Sequence, residues 1–423
     1  MDNTSRRRFL AAWTGIVTVG GLAGCADNGS GGTESTVDPN TRTQTTQQST
    51  ETGNQDGSGT STGIDTASGS SMLSYNPGRT GATPDETGPT NDITVAWSFQ
   101  TGAGVESSPA VVDSKVYIGS NDGNVYALDA TDSTKEWAFE AGPLVDASPA
   151  VVAGTVYIGD NDGTVYAIDA EDGTEQWTFE VSGPAASPAV VDERVYVSGY
   201  DGGLYALDTA TGTEQWAYNV GDSFAPTPAV ADNVVYFTTA EGSVVAVAAD
   251  SGTEQWSSKV NRFGIGESLA VTGGTVYGGT DVGTIYALDA NTGTEEWVFD
   301  TGSSYVNTQT SPAIANGTVY VGTSDNTGAK NNDVYALDTV DGSQQWKYEV
   351  QDVDEGPPKP VEGGPAVIDE TVYLSFRNHG VQALDAETGA ERWLFETQTQ
   401  SSPVVVDGTV FVGSTDDNVY ALR

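Results

Sequence analysis

The sequence predicts an all-β fold in which one four-stranded unit is repeated eight times. Eight tryptophans recur at intervals of 40, 40, 39, 40, 41, 49 and 47 residues. Each interval holds four short β-type runs separated by glycine turns such as "NDG" (Asn121–Gly123), and no stretch after residue 72 has helical periodicity. A period near 40 residues with four strands per unit is typical of a β-propeller. We therefore predict an eight-bladed β-propeller with four antiparallel strands per blade.

The first 24 residues have the features of an export signal. Ser5–Leu10 ("SRRRFL") has the form of a twin-arginine signal, and the apolar stretch Phe9–Leu22 is shorter than the roughly 20 residues that span a bilayer. Leu22–Cys25 ("LAGC") resembles a lipobox, in which cleavage precedes the cysteine and its thiol is lipidated. We predict export by the twin-arginine route and a lipid anchor at Cys25 on the outer face of the cytoplasmic membrane. An uncleaved N-terminal membrane anchor is the alternative.

Residues 25–71 are rich in Ser, Thr and Gly and nearly free of apolar side chains. Such a segment cannot bury enough surface to offset the entropy of ordering it. We expect a disordered stalk here, followed by the propeller over residues 72–423.

The charge balance limits the partners. Asp and Glu number 59 against 16 Lys and Arg, for a net charge of -43. Such a surface repels phosphate backbones and anionic lipid, which excludes nucleic acid as a partner. One interpretation is a protein that attracts cations; the other, which we favour, is a halophilic protein whose carboxylates keep it hydrated in molar salt.

The order of strands predicts how the ring closes. In most units a proline leads the first strand, as in "SSPAVV" (Ser107–Val112), and the tryptophan strand comes fourth. The last unit, Ser402–Arg423, has only three strands, whereas Asp92–Phe99 is a tryptophan strand with no three strands before it. We predict that this N-terminal strand closes the last blade, which removes free sheet edges.

The repeated tryptophan indicates how blades pack together. A buried tryptophan contributes roughly 150–250 Å² of apolar area, or about 4–6 kcal/mol at most. We assign a structural, blade-docking role to Trp97, Trp137, Trp177, Trp216, Trp256, Trp297, Trp346 and Trp393.

The motif around each tryptophan resembles that of a known family. "ALDANTGTEEW" (Ala287–Trp297) is similar to the tryptophan-docking motif of the pyrroloquinoline quinone (PQQ) repeat family, and the resemblance extends over residues 72–423. It implies a quinoprotein-like propeller in which each indole packs on a Gly or Ala peptide of the next blade. Two departures, Ser133 for Gly and Ala248 for Asp, are expected to weaken single blades.

The resemblance leaves two functions open. The family's dehydrogenases hold PQQ and calcium in the central funnel, but this chain has one histidine, no adjacent cysteines and no stretch that matches their metal and base motifs. Its non-catalytic members, such as the lipoprotein of the outer-membrane assembly complex, use the repeat as a scaffold. We expect a monomeric, cell-surface, non-catalytic binding or scaffold protein without a cofactor, whose partner is a protein, a glycan or a small molecule. The alternative is a PQQ- and calcium-dependent dehydrogenase or a PQQ-binding sensor.

The candidate binding site is the face on which the loops diverge. Links between second and third strands, and links between blades, depart from the repeat in its second half, and rare basic and aromatic residues gather there. Loops carry function while scaffolds repeat, although unconstrained drift of these loops is the alternative. The predicted binding residues are Arg262, Phe263, Tyr305, Lys359, Glu362, Arg377, Asn378 and His379.

Three carboxylates are candidate metal ligands. Glu106, Asp146 and Glu362 each stand three residues before the proline that leads a first strand, so we expect them at the funnel mouth. Together they would suit a hard cation such as Ca²⁺. Solvated carboxylates without a metal are the alternative.

Overall fold

The structure, a computed structural model, describes residues 74, 76–77, 79–82, 86–91, 93–219, 226–260, 266, 268–302, 306–307, 310–325, 332–350 and 359–423. The predicted signal, Cys25 and the stalk lie outside the described residues, and what we expect of them stays a prediction. The part of the chain that the structure describes contains no helix with the length and apolar character that a membrane crossing requires.

The described strands form eight four-stranded antiparallel sheets, numbered here as blades 1 to 8. The first strands of blades 1 to 8 are Ala110–Val112, Ala150–Val152, Ala189–Val191, Ala229–Ala231, Ala270–Thr272, Ala313–Ala315, Ala366–Ile368 and Val404–Val406. The second strands are Lys115–Gly119, Thr155–Gly159, Arg194–Ser198, Val234–Thr238, Thr275–Gly279, Thr318–Gly322, Thr371–Phe376 and Thr409–Gly413. The third strands are Asn124–Asp129, Thr164–Asp169, Gly203–Asp208, Ser243–Ala248, Thr284–Asp289, Asp333–Asp338, Gly380–Asp385 and Asn418–Leu422. The fourth strands are Lys135–Glu140, Glu175–Glu180, Glu214–Asn219, Glu254–Lys259, Glu295–Asp300, Gln344–Glu349, Glu391–Phe395 and, for blade 8, Val95–Gln100.

The eight first strands surround a central channel. Each contacts the first strands of the two neighbouring blades, and this series of contacts closes from blade 8 back to blade 1. Each first strand pairs with a second strand on one side only, so its other edge faces the channel. The predicted eight-bladed propeller is confirmed. One element was not predicted, a two-stranded sheet in which Val306–Asn307 pairs with Ser324–Asp325 on the loops that precede and interrupt blade 6.

Blade 8 is assembled from strands that lie far apart in the sequence. Val95–Gln100 pairs antiparallel with Asn418–Leu422, which continues the sheet through Thr409–Gly413 to Val404–Val406. Beside this pair, the Thr94 hydroxyl donates to the Arg423 carbonyl across 329 residues of chain. Closure of the last blade by the N-terminal strand is confirmed.

Each tryptophan bonds to the main chain of the next blade. The Trp137 indole N–H donates to the Ala170 carbonyl at 3.1 Å, and the other seven indoles make the corresponding bond at 2.8–3.0 Å. A Cβ added to Gly173 would lie 2.8 Å from the Trp137 ring, so glycine avoids a close contact with the indole at this position. For Trp393 the acceptor is Pro89, from the segment that precedes the first described strand.

The two departures from the repeat have structural counterparts. Ser133 adopts a φ of 62° where the corresponding residues of six other blades are glycines with φ between 66° and 76°. In blade 5, the Asp289 carboxylate accepts the N–H groups of Asn291 and Thr292 at 3.1 and 2.8 Å. Ala248 has no such carboxylate, and its turn is held by main-chain bonds and by a hydrogen bond of 3.0 Å between the Ser251 and Thr253 hydroxyls.

Serine hydroxyls link neighbouring blades around the channel. The N–H groups of Ser108 and Ser148 donate to the hydroxyls of Ser148 and Ser187, respectively, at 2.9 and 2.8 Å. The N–H groups of Gly364 and Ser402 likewise donate to the hydroxyls of Ser402 and Ser108 at 2.9 and 2.8 Å. These bonds fix the spacing of five consecutive blades on the side where the first strands begin.

Candidate functional site

Five of the eight predicted binding residues are described, and all five belong to blade 7. Lys359 and Glu362 lie on the link that precedes its first strand, and Arg377, Asn378 and His379 form the turn between its second and third strands. Both segments lie on the loop face, which carries the links between blades and the turns between second and third strands. Arg262, Phe263 and Tyr305 lie outside the described residues, so their role stays a prediction.

Main-chain bonds hold the link and the turn of blade 7 together. The Arg377 N–H donates to the Pro360 carbonyl at 3.0 Å, and the Glu362 N–H donates to the Ser375 carbonyl at 3.1 Å. The side chains of the link and of the turn therefore lie on one hydrogen-bonded surface and not on two independent loops.

The Arg377 side chain connects blades 7 and 8. Its Nη2 lies 2.6 Å from Glu362 Oε1 and donates to Gln400 Oε1 at 2.9 Å. Glu362 and Gln400 occupy the same position in their blades, three residues before Pro365 and Pro403. The ion pair is partly shielded, since the Arg377 and Glu362 side chains are 25% and 19% exposed. Arg377 Nε is buried and has no hydrogen-bond partner among the described residues.

A shallow groove of about 520 Å³ runs beside this ion pair, across the boundary between blades 7 and 8. Its lining combines amides, a hydroxyl, an imidazole and one charge of each sign. The lining residues are Lys359, Asn378, His379, Glu396, Thr397 and Gln398.

The turn that carries His379 is well anchored. Asn378 has a φ of 60°, a left-handed conformation that asparagine tolerates better than most side chains. The His379 imidazole stands edge-on to the ring of Phe376, with centroids 5.9 Å apart and an interplanar angle of 84°. Phe376 is fully buried, so its contact ties the imidazole at the groove to the hydrophobic core. The groove can bind a polar ligand by hydrogen bonds and charge.

The predicted metal ligands are not gathered into a metal-binding group. All three are described, yet the described part of the chain holds no cluster of three or more His, Cys, Asp or Glu side chains arranged to bind a metal ion. Glu106 accepts a hydrogen bond from Asn121 Nδ2 at 3.1 Å, and Glu362 is engaged by Arg377. A calcium site formed by Glu106, Asp146 and Glu362 stays a prediction without geometric support.

The central channel is crossed by the chain itself. The carbonyls of Pro77, Thr80 and Gly81 accept the N–H groups of Val230, Ile314 and Val367 at 2.7, 2.7 and 2.8 Å. These three valine and isoleucine residues are the middle residues of the first strands of blades 4, 6 and 7. Pro77, Thr80 and Gly81 therefore bond to the channel-facing edges of the first strands of blades 4, 6 and 7.

Three of the groove residues, Glu396, Thr397 and Gln398, were not predicted from the sequence. Glu396, Thr397, Gln398 and Gln400 lie on the link from blade 7 to blade 8, which reads "ETQTQ" and lacks the glycine and proline of links such as "AGPLVD" (Ala141–Asp146). This run of polar side chains could have indicated a binding site. The link has the ordinary length, however, and only the lengthened loops drew attention in the sequence.

The comparisons with known proteins agree with the observed fold. The family model described as outer membrane protein assembly factor BamB matches residues 30–163, 137–262, 240–393 and 330–423. No curated protein matches the chain by sequence.

Solved structures of different functions share the architecture. BamB from Moraxella catarrhalis is 17% identical, with a TM-score of 0.64 over 78% of this chain and 100% of that chain. A europium-containing methanol dehydrogenase is 16% identical, with a TM-score of 0.69 over 84% of this chain and 98% of that one. The computationally designed Ika8 protein is 20% identical, with a TM-score of 0.65 over 76% and 96% of the two chains. At these identities the likeness establishes the fold alone. Because the family model covers most of the sequence, the chain belongs to the family described as outer membrane protein assembly factor BamB.

Proposed function

We propose that this protein is a non-catalytic binding protein of the cell surface, whose propeller binds a partner protein on the loop face at blades 7 and 8. The observation that carries the proposal is the polar groove lined by residues of blades 7 and 8, two blades that Arg377 also connects through Glu362 and Gln400. The family's description as an assembly factor favours a protein partner over a glycan or a small molecule.

The composition of the groove supports recognition rather than chemistry. Lys359 and Glu396 offer charges of opposite sign, and Asn378, Thr397 and Gln398 offer both donors and acceptors. A shallow, polar groove with an ordered floor suits side chains from the edge of a protein interface, where direct hydrogen bonds set the register.

PQQ with calcium, the alternative implied by the resemblance, does not fit the described residues. A calcium ion needs several oxygen ligands that converge, and Glu106, Asp146 and Glu362 do not form such a group. The channel edges of blades 4, 6 and 7 are already bonded to residues 77–82. We therefore derive no reaction step through a quinone.

The rest of the proposal concerns location. Lipidation of Cys25 after twin-arginine export would hold the propeller at the outer face of the cytoplasmic membrane, on a stalk formed by residues 25–71. The acidic surface would keep the protein hydrated and monomeric in molar salt. Metabolic labelling with a fatty-acid analogue tests the anchor, since a Cys25→Ser chain should lose the label.

Site-directed cross-linking tests the groove. A benzoylphenylalanine placed at His379 in the full chain should cross-link a discrete partner on cells in molar salt. The same probe at Val340, 85% exposed on a turn of the opposite face, should not. Lys359→Glu should remove the product at position 379, whereas Lys135→Glu, the same charge change on an exposed outer strand, should leave it. Equal products from both probe positions, or equal effects of the two lysine variants, would refute the proposal.

A further inference from the structure

The channel-crossing segment comprises Asn76, Pro77 and residues 79–82. Its charged side chain, Arg79, has no exposed surface. Its Nε donates to the Pro228 carbonyl at 2.6 Å, and its Nη2 lies 3.2 and 3.4 Å from the carbonyls of Ser187 and Pro188. Ser187 and Pro188 immediately precede the first strand of blade 3, and Pro228 immediately precedes the first strand of blade 4. Burying a charged group is unfavourable unless it is well hydrogen-bonded. The three carbonyls therefore form a binding site that is specific for a guanidinium.

The guanidinium keeps its charge in this seat. Burial lowers the pKa of Arg79 to about 9, which leaves it protonated at neutral pH. The carbonyl oxygens, which are the negative ends of peptide dipoles, lie around the guanidinium from two blades. They bind a positively charged donor more strongly than a neutral side chain of the same length.

The segment is also shaped to lie against the strands on the far side of the channel. Gly81 has a φ of 64°, and a Cβ there would lie 2.7 Å from Ala313 Cβ and 2.8 Å from the Pro365 carbonyl. Ala82 forms a parallel bridge with Val367. On the near side, Asn76 Nδ2 donates to Thr80 Oγ1 at 2.7 Å, which fixes the turn that aims Arg79 at its cradle.

We infer that the central channel is a binding site for an extended peptide bearing an arginine, and that its occupant is the chain's own segment with Asn76, Pro77 and residues 79–82. Arg79 anchors the segment at blades 3 and 4. The carbonyls of Thr80 and Gly81 accept the free N–H groups on the first-strand edges of blades 6 and 7. This inference is independent of the proposed groove function. Its consequence is that external ligands meet the propeller on the loop face, since the channel-facing edges of blades 4, 6 and 7 are bonded to the chain's own polypeptide.

Hydrogen exchange of single amides in the full chain tests the inference. The N–H groups of Val230, Ile314 and Val367 donate to the segment. Val111 and Val151 occupy the same register in blades 1 and 2, but their N–H groups donate no bond to the described residues of the segment. In molar salt we expect the first three to exchange at least about tenfold more slowly than the other two. Equal rates in the unmodified chain would overturn the inference without any variant.

Substitutions then test the anchor. Arg79→Gln should raise the exchange rates of the three bonded amides about tenfold or more, and Gly81→Ala should do the same by steric displacement. Arg392→Gln, the same chemical change on an outer strand, is the matched control and should leave the three amides unchanged. Bonded amides that keep their protection in a folded Arg79→Gln chain would overturn the role of the arginine.

Discussion

Replacing Ser133 with glycine should stabilise the propeller. Ser133 has a φ of 62°, and an L side chain in the left-handed region is disfavoured by roughly 1–2 kcal/mol. Glycine removes that strain but loses roughly 0.5–1 kcal/mol to the greater freedom of the unfolded chain. The net expectation for Ser133→Gly is a gain of about 0.5–1 kcal/mol in the free energy of unfolding.

The docked indole shows why glycine is usual at this position. At the six corresponding glycines, an added Cβ would lie 2.5–2.8 Å from the tryptophan ring of the preceding blade. In blade 1 the ring is Trp97, whose N–H bonds to Ala130 at 2.9 Å. This bond is as short as those of the other blades, so the expected gain comes from the backbone conformation of Ser133 and not from a closer approach to Trp97.

Calorimetric unfolding of the full chain in molar KCl is the assay. We expect Ser133→Gly to raise the Tm by about 1–3 °C. The reverse change, Gly173→Ser, puts a side chain 2.8 Å from Trp137 at a φ of 76° and should lower the unfolding free energy by about 2–3 kcal/mol. If Ser133→Gly lowers the Tm while Gly173→Ser also lowers it, the blade 1 turn is not strained and the reasoning fails.

Three further changes test contacts in other blades. Gly88→Ala would put a Cβ 2.1 Å from Tyr373 Oη and should lower the free energy of unfolding by about 1–3 kcal/mol, measured from the urea midpoint. Trp177→Ala removes a docking indole and should cost about 3–5 kcal/mol in the same assay. The Arg392 guanidinium holds the pKa of Asp385 at about 2, so Arg392→Gln should raise that pKa toward 3.8 in an NMR titration. Because folding lowers this pKa, the carboxylate stabilises the fold above about pH 4, and that contribution is lost as the pH falls toward 2.

Each of these expectations has a contradicting result. An unchanged urea midpoint for Gly88→Ala would mean that the segment before the first strand does not pack against the Tyr373 side chain. A loss below about 1 kcal/mol for Trp177→Ala would argue against docking as the role of the indole. An unshifted Asp385 would show that Arg392 does not set its pKa.

The architecture was predictable because each blade carries its own local signals. A tryptophan such as Trp137 meets a turn glycine such as Gly173 at six of the eight blade boundaries, so the sequence repeats the residues of this contact. The closing strand followed from counting, since one tryptophan strand stood without three predecessors.

The site was predictable only in part. The divergent loops pointed to Lys359, Arg377 and His379, but sequence spacing does not say that Arg377 reaches Gln400 on the next blade. The channel-crossing segment was missed for a different reason. Its partners are main-chain carbonyls and N–H groups, as at Val230, which almost all residue types have and which leave no signature in the sequence.

The assembly of blade 8 from two distant segments has a kinetic consequence. Bringing Thr94 to Arg423 closes a loop of 329 residues, which carries an entropy term of about 5 kcal/mol that local hairpins do not share. The seam should therefore form after the other seven blades, when little chain freedom remains to be lost. Until then, the strand that ends at Leu422 presents an open edge, and the Val95–Gln100 strand of a second molecule has the right sequence to fill it. At high concentration during refolding, strand-exchanged dimers are the expected by-product, and dilution should suppress them.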